Sequence, residues 1–190
     1  MGELRAAGDG QADLEMRIVF TAAGRSVVLL PGAAAPALQH LLERCGDYYV
    51  LAEGRPVGPN GAIREMSEGP AERVPQDLLH LGIMGEDGRL DGVIGVLRHH
   101  RRPDQWYLGL MLLDPAQRGG GLGRAVYQRF ERWIAGQGAD SVVLAVLEAN
   151  ARAARFWESL GFAQPRCYPA RTIGLRRHVL IEYEKDIGVR

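Results

Sequence analysis

Glycine occupies four of the five positions 119–123 in the stretch PAQRGGGLGRAVYQRF, residues 115–130. Apolar residues then recur at helical spacing from Leu122 to Ile134, so the glycines stand directly before a predicted helix. The first turn of a helix has free backbone N–H groups and the positive end of the helix dipole, and glycines let an anion approach the main chain closely. A tight turn needs one or two glycines rather than four. The stretch therefore predicts a binding site for a phosphate-bearing ligand.

Two common phosphate-binding patterns fit this loop poorly. A nucleotide P-loop ends in Gly-Lys-Ser/Thr, whereas Gly123 is followed by Arg124 and Ala125. A dinucleotide fingerprint requires a third Gly or Ala three residues after the second one, and neither Val126 nor Arg124 meets that requirement. The loop therefore favours a different phosphate-bearing ligand.

The segment LLDPAQRGGGLGRA resembles the acetyl-CoA loop of the GCN5-related N-acetyltransferase (GNAT) family. That loop has an apolar residue and Pro, then Arg or Gln, two residues, Gly, one residue, and Gly or Ala. Arg118, Gly121 and Gly123 occupy the last three of these positions. A second segment, NARAARFWESLGF at 150–162, resembles the family motif N-x-x-A-x-x-F-Y-x-x-x-G-F. The two motifs occur in the family's order, and the specific resemblance covers residues 106–162.

The resemblance implies an α/β acyl-CoA N-acyltransferase fold, with a mixed, mostly antiparallel sheet, a splayed parallel strand pair and helices on both faces. It implies acetyl-CoA as the acyl donor, no metal, and direct attack by an amine in a ternary complex. The pyrophosphate would lie on the amides of 118–124, and the pantetheine would lie beside the main chain of 111–113. The residues implied to bind the cofactor are Met111, Leu112, Leu113, Arg118, Gly119, Gly120, Gly121, Leu122, Gly123, Arg124, Asn150, Phe156 and Trp157.

The usual catalytic side chains of the family are not evident in this sequence. Many members place a Tyr after the Phe of the second motif, but Trp157 stands there, and an indole N–H is a donor without being an acid. The glutamates that act as bases in some relatives correspond to Tyr107 and Ala145. Two candidates remain: the Met111 backbone N–H as the donor to the thioester oxyanion, and Tyr107 for proton handling.

The missing base bears on the choice of acceptor. Deprotonating a lysine-like amine with a pKa of about 10.4 costs about 4.6 kcal/mol at pH 7, whereas deprotonating an α-amine with a pKa near 8 costs about 1.4 kcal/mol. The sequence therefore favours either an amine of low pKa or a water that relays the proton to a carboxylate in the first half of the chain. A non-catalytic acyl-CoA-binding module is the alternative function.

The hydrophobic pattern predicts the elements that would position these residues. Strand 106–114, the glycine loop, a helix from 122 and strand 141–147 make a βαβ unit, so the two strands should be parallel. We expect a loose tail at 1–13 and a single domain at 14–190. The other predicted elements are a hairpin or a strand with an irregular return at 14–30, a helix at 35–46 that stops at Gly46, a loop at 53–61, a hairpin at 78–100, a helix at 150–162 and a strand at 178–185.

The composition limits the classes of partner that we expect this protein to bind. Lys and Arg number 23, and Asp and Glu also number 23, so no global field attracts nucleic acid or a membrane surface. The basic cluster RHHRRPD at 98–104 is interpreted as a solvated hairpin connection. Two widely separated cysteines are typical of a reduced, cytoplasmic protein. We expect a small-molecule, peptide or protein amine as the partner, and the resemblance leaves a homodimer open.

Overall fold

A computed structural model describes residues 16–68 and 75–188, so the predicted tail at 1–13 lies outside it. Within these ranges the chain forms eight strands and five α-helices. The strands are β1 Ile18–Ala22, β2 Arg25–Leu29, β3 Leu78–Met84, β4 Leu90–Leu97, β5 Gln105–Leu113, β6 Ser141–Leu147, β7 Ala163–Ile173 and β8 Arg176–Asp186. The helices are α1 Ala35–Arg44, α2 Gly46–Glu53, α3 Gly61–Ser67, α4 Leu122–Ala135 and α5 Ala151–Glu158.

All eight strands join one sheet in the order β1-β2-β3-β4-β5-β6-β8-β7. Among these eight described strands the only parallel neighbours are β5 and β6, which confirms the βαβ prediction. Their pairing extends only from Gln105 opposite Ser141 to Leu108 opposite Leu144. Beyond that point β5 continues beside β4 and β6 continues beside β8, so the two strands separate. The predicted mixed sheet with a splayed parallel pair is therefore confirmed.

Helices cover both faces of the sheet. Helix α4 places Val126, Phe130 and Ile134 at helical spacing in the core of one face, together with α5. Helix α1 places Leu38, Leu41 and Leu42 in the core of the other face. Six of the seven residues of β6 are buried, as the unbroken apolar run SVVLAVL predicts for a strand covered on both sides. No helix in the part of the chain described here is long and apolar enough to cross a membrane.

Two features differ from the prediction. Gly46 was expected to end a helix, but it begins α2 directly after Cys45, so α1 and α2 follow one another without a loop. No strand was predicted at β7, an almost fully exposed edge strand with breaks in register between Ala163 and Arg166 and between Tyr168 and Arg171. Each break contains a proline, Pro165 or Pro169, and proline is tolerated only at edges and bulges of a sheet.

Candidate active site

The separation of β5 and β6 leaves an opening in the middle of the sheet. Leu108 pairs with Val96 and Leu110 with Gly95, so Gly109 is the extra residue of a bulge in β5. Gly109 is exposed although β5 is a central strand, and Ala145 is the one residue of β6 that is not buried. We call the space between Gly109–Leu113 and Ala145–Leu147 the β5–β6 opening.

The glycine loop follows β5 after Asp114 and a short turn at Pro115–Gln117. Gly119 and Gly121 adopt left-handed backbone, with φ of +88° and +84°, where an L side chain would be strained. A Cβ built on Gly119, Gly120 or Gly121 would meet no atom within 4 Å, so the space beside the main chain is open. The first hydrogen bond of α4 runs from Ala125 N–H to Gly121 O at 3.1 Å, which leaves the earlier amides of the helix without an intrahelical acceptor. These amides can bind an anion.

Arg118 fixes this loop to two other elements. Its Nε donates to Leu113 O at 2.9 Å, and its guanidinium pairs with Asp47 on α2, with Nη2 3.1 Å from Oδ1. The hydrogen bond from Arg118 lowers the pKa of Asp47. The buried Cys45 thiol donates to the same Leu113 carbonyl at 3.4 Å. The loop is thus held between the end of β5 and the start of α2.

Helix α5 packs against the other side of the loop. Asn150 caps this helix, because its side-chain oxygen accepts a hydrogen bond from Ala153 N–H at 3.1 Å. A Cβ on Gly123 would lie 3.3 Å from Leu113 Cδ1 and 3.6 Å from Phe156 Cζ, so glycine here allows α4 to approach both neighbours. The structure thereby brings Phe156 to the loop that the resemblance assigns to CoA, while Asn150 caps the helix that carries Phe156.

Trp157 lies in the aromatic core of the protein. Its ring centroid is 4.8 Å from that of Phe156, 5.3 Å from that of Tyr127 and 5.4 Å from that of Phe162, all near edge-on. The residue is buried. Its packing explains why a large apolar ring is kept there, while its contact with a cofactor stays a prediction.

The Tyr107 side chain lies beside Gly109, at the start of the β5–β6 opening. A Cβ on Gly109 would lie 3.6 Å from Tyr107 Cε1, so the phenol ring leans along the strand toward the bulge. The ring also stacks on His100, with centroids 4.8 Å apart. Burial raises the pKa of Tyr107, so the hydroxyl stays protonated at neutral pH and can donate a proton.

Two carboxylates that we did not single out in the sequence lie on the face of the sheet that carries the Tyr107 side chain. Glu65 of α3 lies over Gly95, since its Oε1 is 3.1 Å from the position of a Cβ there and 3.8 Å from His80 Nε2. Glu182 of β8 pairs with Ala145 across the strands and accepts hydrogen bonds from Arg101 at 2.9 and 2.7 Å. The local sequence pattern did not indicate a role for either residue, because each reaches the site through contacts between segments that are separated along the chain.

The basic cluster 98–104 is the connection between β4 and β5, as predicted, and acidic partners occupy its arginines. Arg98 pairs with Asp77 at 2.9 Å, and Arg102 pairs with Asp140 at 3.1 Å. The third arginine, Arg101, is held by Glu182. These ion pairs neutralise the cluster, so it offers little free charge to an anionic partner.

Comparisons with known proteins agree on one family. The acetyltransferase (GNAT) family model matches residues 35–162. The ribosomal-protein-S18-alanine N-acetyltransferase of Escherichia coli has a similar structure, with a TM-score of 0.64, 21% identity, and coverage of 87% of this chain and 96% of that one. An acetyltransferase from Thermus thermophilus gives a TM-score of 0.64 at 20% identity, with 90% and 99% covered.

A mycothiol acetyltransferase of Thermobispora bispora is 46% identical over 52 residues, which are 27% of this chain. The matched part spans only 18% of that relative's length, so the likeness concerns a segment and not the whole protein. The family match covers more than half of this chain, and the solved structures share its fold over most of its length. Together with the splayed strands and the glycine loop, these findings show that the chain belongs to the GNAT acetyltransferase family.

Proposed function

We propose that this protein transfers the acetyl group of acetyl-CoA to a primary amine by direct attack within a ternary complex. Family membership supports acyl transfer in general, and the acetyl donor and amine acceptor are our extension of it. The observation that most strongly supports the proposal is the β5–β6 opening, which lies beside a glycine loop with open space along its main chain and with amides that have no intrahelical acceptor at the start of α4.

The donor fits the residues around the opening. The amides of 119–124, at the positive end of the α4 dipole, would hold the pyrophosphate. The edge of β5 that faces away from β4 at Met111–Leu113 offers main-chain groups to the pantetheine amides, apart from the Leu113 carbonyl, which accepts from Arg118 and Cys45. Asn150, Phe156 and Trp157 would flank the thiol end of the pantetheine. When bound, acetyl-CoA supplies an activated thioester.

The chain itself would then orient and polarise the reactants. The Met111 N–H is the proposed donor to the developing oxyanion, because a fixed backbone dipole needs no reorganisation during the reaction. Tyr107 is the proposed proton donor to the departing sulfur, since its ring reaches Gly109 and its raised pKa keeps it protonated. Holding both reactants together in the opening supplies a large share of the rate enhancement.

Trp157 favours one alternative function. An acyl-CoA-binding module that does not catalyse transfer would keep the glycine loop and dispense with the acid that many family members have at this position. Such a module would bind acetyl-CoA without consuming it.

Thiol release from acetyl-CoA distinguishes the two functions. Purified protein is incubated with acetyl-CoA and a panel of amines: free-N-terminus peptides, lysine peptides, polyamines, aminoglycosides and amino acids. The proposal predicts thiol release that depends on one class of amine, with the acetylated amine detected by mass spectrometry. Binding of acetyl-CoA by calorimetry without turnover of any amine would favour the binding module.

A further inference from the structure

We propose that Glu65 and His80 form the proton-accepting pair of this acetyltransferase and that Glu65 receives the proton of the acceptor ammonium through one water molecule. The inference rests on the proposed function and adds to it the group that removes the proton. It assigns a residue to the relay toward a carboxylate in the first half of the chain, which the sequence alone leaves open.

The His80 imidazole is buried with one of its ring nitrogens left without a hydrogen bond. Its side chain is 4% exposed, and its Nε2 has no hydrogen-bond partner among the residues described. A buried imidazole nitrogen without a partner is costly and requires an explanation, and a role in proton transfer would supply one. The nearest ionisable oxygen is Glu65 Oε1 at 3.8 Å, close enough for a small movement to join the two.

The pair lies close to the β5–β6 opening. His80 pairs with Gly95 across β3 and β4, and Gly95 pairs with Leu110 next to the Gly109 bulge. Gly95 has no side chain, and Glu65 occupies the space that a side chain would fill. Neighbouring strands lie about 4.8 Å apart, so the carboxylate over Gly95 is about one strand spacing from the near edge of the opening, a distance that one water with two hydrogen bonds can bridge.

The tyrosines packed near the pair cannot accept the proton, because they already carry one. The groups that face Glu65 are His80 of β3 and, from α2, Tyr48 and Tyr49, with Glu53 also close to Tyr48. Burial, with Glu65 as the next contributor, raises the pKa of Tyr48 to about 12. The tyrosines are therefore neutral at physiological pH. Glu65 itself is 28% exposed, which gives water access to the carboxylate.

The chemistry balances in two proton transfers. The acceptor ammonium first gives one proton through the water to Glu65, and the neutral amine then attacks the thioester carbon. The C–N bond forms and the C–S bond breaks. Tyr107 gives its proton to the thiolate of CoA and takes the second nitrogen proton in its place. The Glu65–His80 pair returns its proton to solvent, so one proton is released for each amide formed.

The test compares Glu65→Gln with wild type, using the amine of the panel that wild type acetylates fastest. Glu68→Gln is the matched control, because Glu68 lies at the exposed end of the same helix. We expect Glu65→Gln to bind acetyl-CoA with unchanged Kd and to lose about 100-fold in kcat/KM at neutral pH. The loss should shrink as pH rises toward the pKa of the amine, because more of the acceptor is then neutral. Glu65→Asp should recover part of the activity.

Three results would overturn the inference. The first is turnover by Glu65→Gln equal to that of wild type. The second is a loss of equal size at every pH, which would indicate a structural role. In both cases wild-type turnover keeps the acetyltransferase proposal intact. The third is a wild-type protein that binds acetyl-CoA and acetylates no amine, which would remove the proposed function together with this pair.

Discussion

Gly121 tests the phosphate site at the scale of a single residue. Replacing it with Glu would place a carboxylate beside amides that we assign to a pyrophosphate. The substitution also forces an L residue into left-handed backbone, at a cost of about 1–2 kcal/mol. We expect Gly121→Glu to abolish acetyl-CoA binding in calorimetry while the far-ultraviolet circular dichroism stays that of wild type.

Gly138→Glu is the matched control, because it adds the same charge and the same backbone strain at a position away from the glycine loop. Gly138 has a φ of +89°, open space around a built Cβ and an exposed position after α4, remote from the loop. This control should be destabilised to a similar degree and should bind acetyl-CoA like wild type. Equal affinity of Gly121→Glu and Gly138→Glu for acetyl-CoA would refute the assignment of the loop.

Tyr107 gives a second prediction at this scale. Because burial raises its pKa, the hydroxyl stays protonated across the neutral range, and removing it takes away a proton donor and little volume. Tyr107→Phe should lower kcat by about 100-fold and leave the Kd for acetyl-CoA unchanged. Steady-state kinetics, read beside calorimetry, measures both quantities. A kcat within about twofold of wild type would exclude Tyr107 as the proton donor.

At the scale of elements, the β7–β8 hairpin is fastened to the end of α2. Leu175 N–H donates to Glu53 O at 2.8 Å, and His178 Nε2 lies 3.0 Å from Ala52 O. Gly174 has a φ of +56°, and a Cβ there would lie 2.6 Å from the Glu53 carbonyl oxygen. The hairpin tip and α2 thus approach each other so closely that only glycine fits between them.

Gly174→Ala should therefore detach the hairpin tip from α2. We expect a loss of about 1–3 kcal/mol, which for a chain of this size lowers Tm by several degrees. Gly88→Ala is the control, since Gly88 has a φ of +78° and no atom within 4 Å of a built Cβ. Calorimetric unfolding of both variants measures the difference. A Gly174→Ala protein no less stable than Gly88→Ala would show that the contact adds nothing.

The sequence predicted the elements whose residues alternate or repeat on one face. The stripe of α4, the buried run of β6 and the cap at Asn150 needed no tertiary information. Helix α2 escaped prediction because GDYYVLAE has no amphipathic stripe and begins with a glycine. Strand β7 escaped because an exposed edge strand with two prolines has no hydrophobic alternation to detect.

The candidate site also has one part that could be predicted from the sequence and one part that could not. The glycine loop and the α5 motif are local, so the sequence contained them in full. Glu65 and His80 stand 15 positions apart on a helix and a strand, and Gly95 leaves room for the Glu65 carboxylate between them. A contact of this kind arises from the packing of α3 over the sheet, and no spacing rule along the chain could have located it.

At the scale of the whole molecule, ion pairs between distant segments should make stability depend on pH. The hydrogen bonds from Arg101 lower the pKa of Glu182, which joins β8 to the connection between β4 and β5. A carboxyl whose folded-state pKa is depressed stabilises the fold above its ordinary pKa of about 4.3. That contribution is lost as pH falls through the depressed value.

We expect Tm to fall between about pH 5 and pH 3 and to fall less steeply in Glu182→Gln, which has no carboxyl to protonate. Thermal unfolding followed by circular dichroism across this range provides the measurement. Parallel Tm curves for the two proteins would show that the Arg101–Glu182 pair does not contribute to acid sensitivity.

Hydrogen exchange with and without saturating acetyl-CoA tests the central claim most directly, because it locates the cofactor on the backbone of the unmodified protein. We predict slower exchange in peptides that contain 109–113 and 118–124, the edge of the β5–β6 opening and the glycine loop. Protection confined to other segments, or unchanged exchange in these two under saturating acetyl-CoA, would contradict the claim.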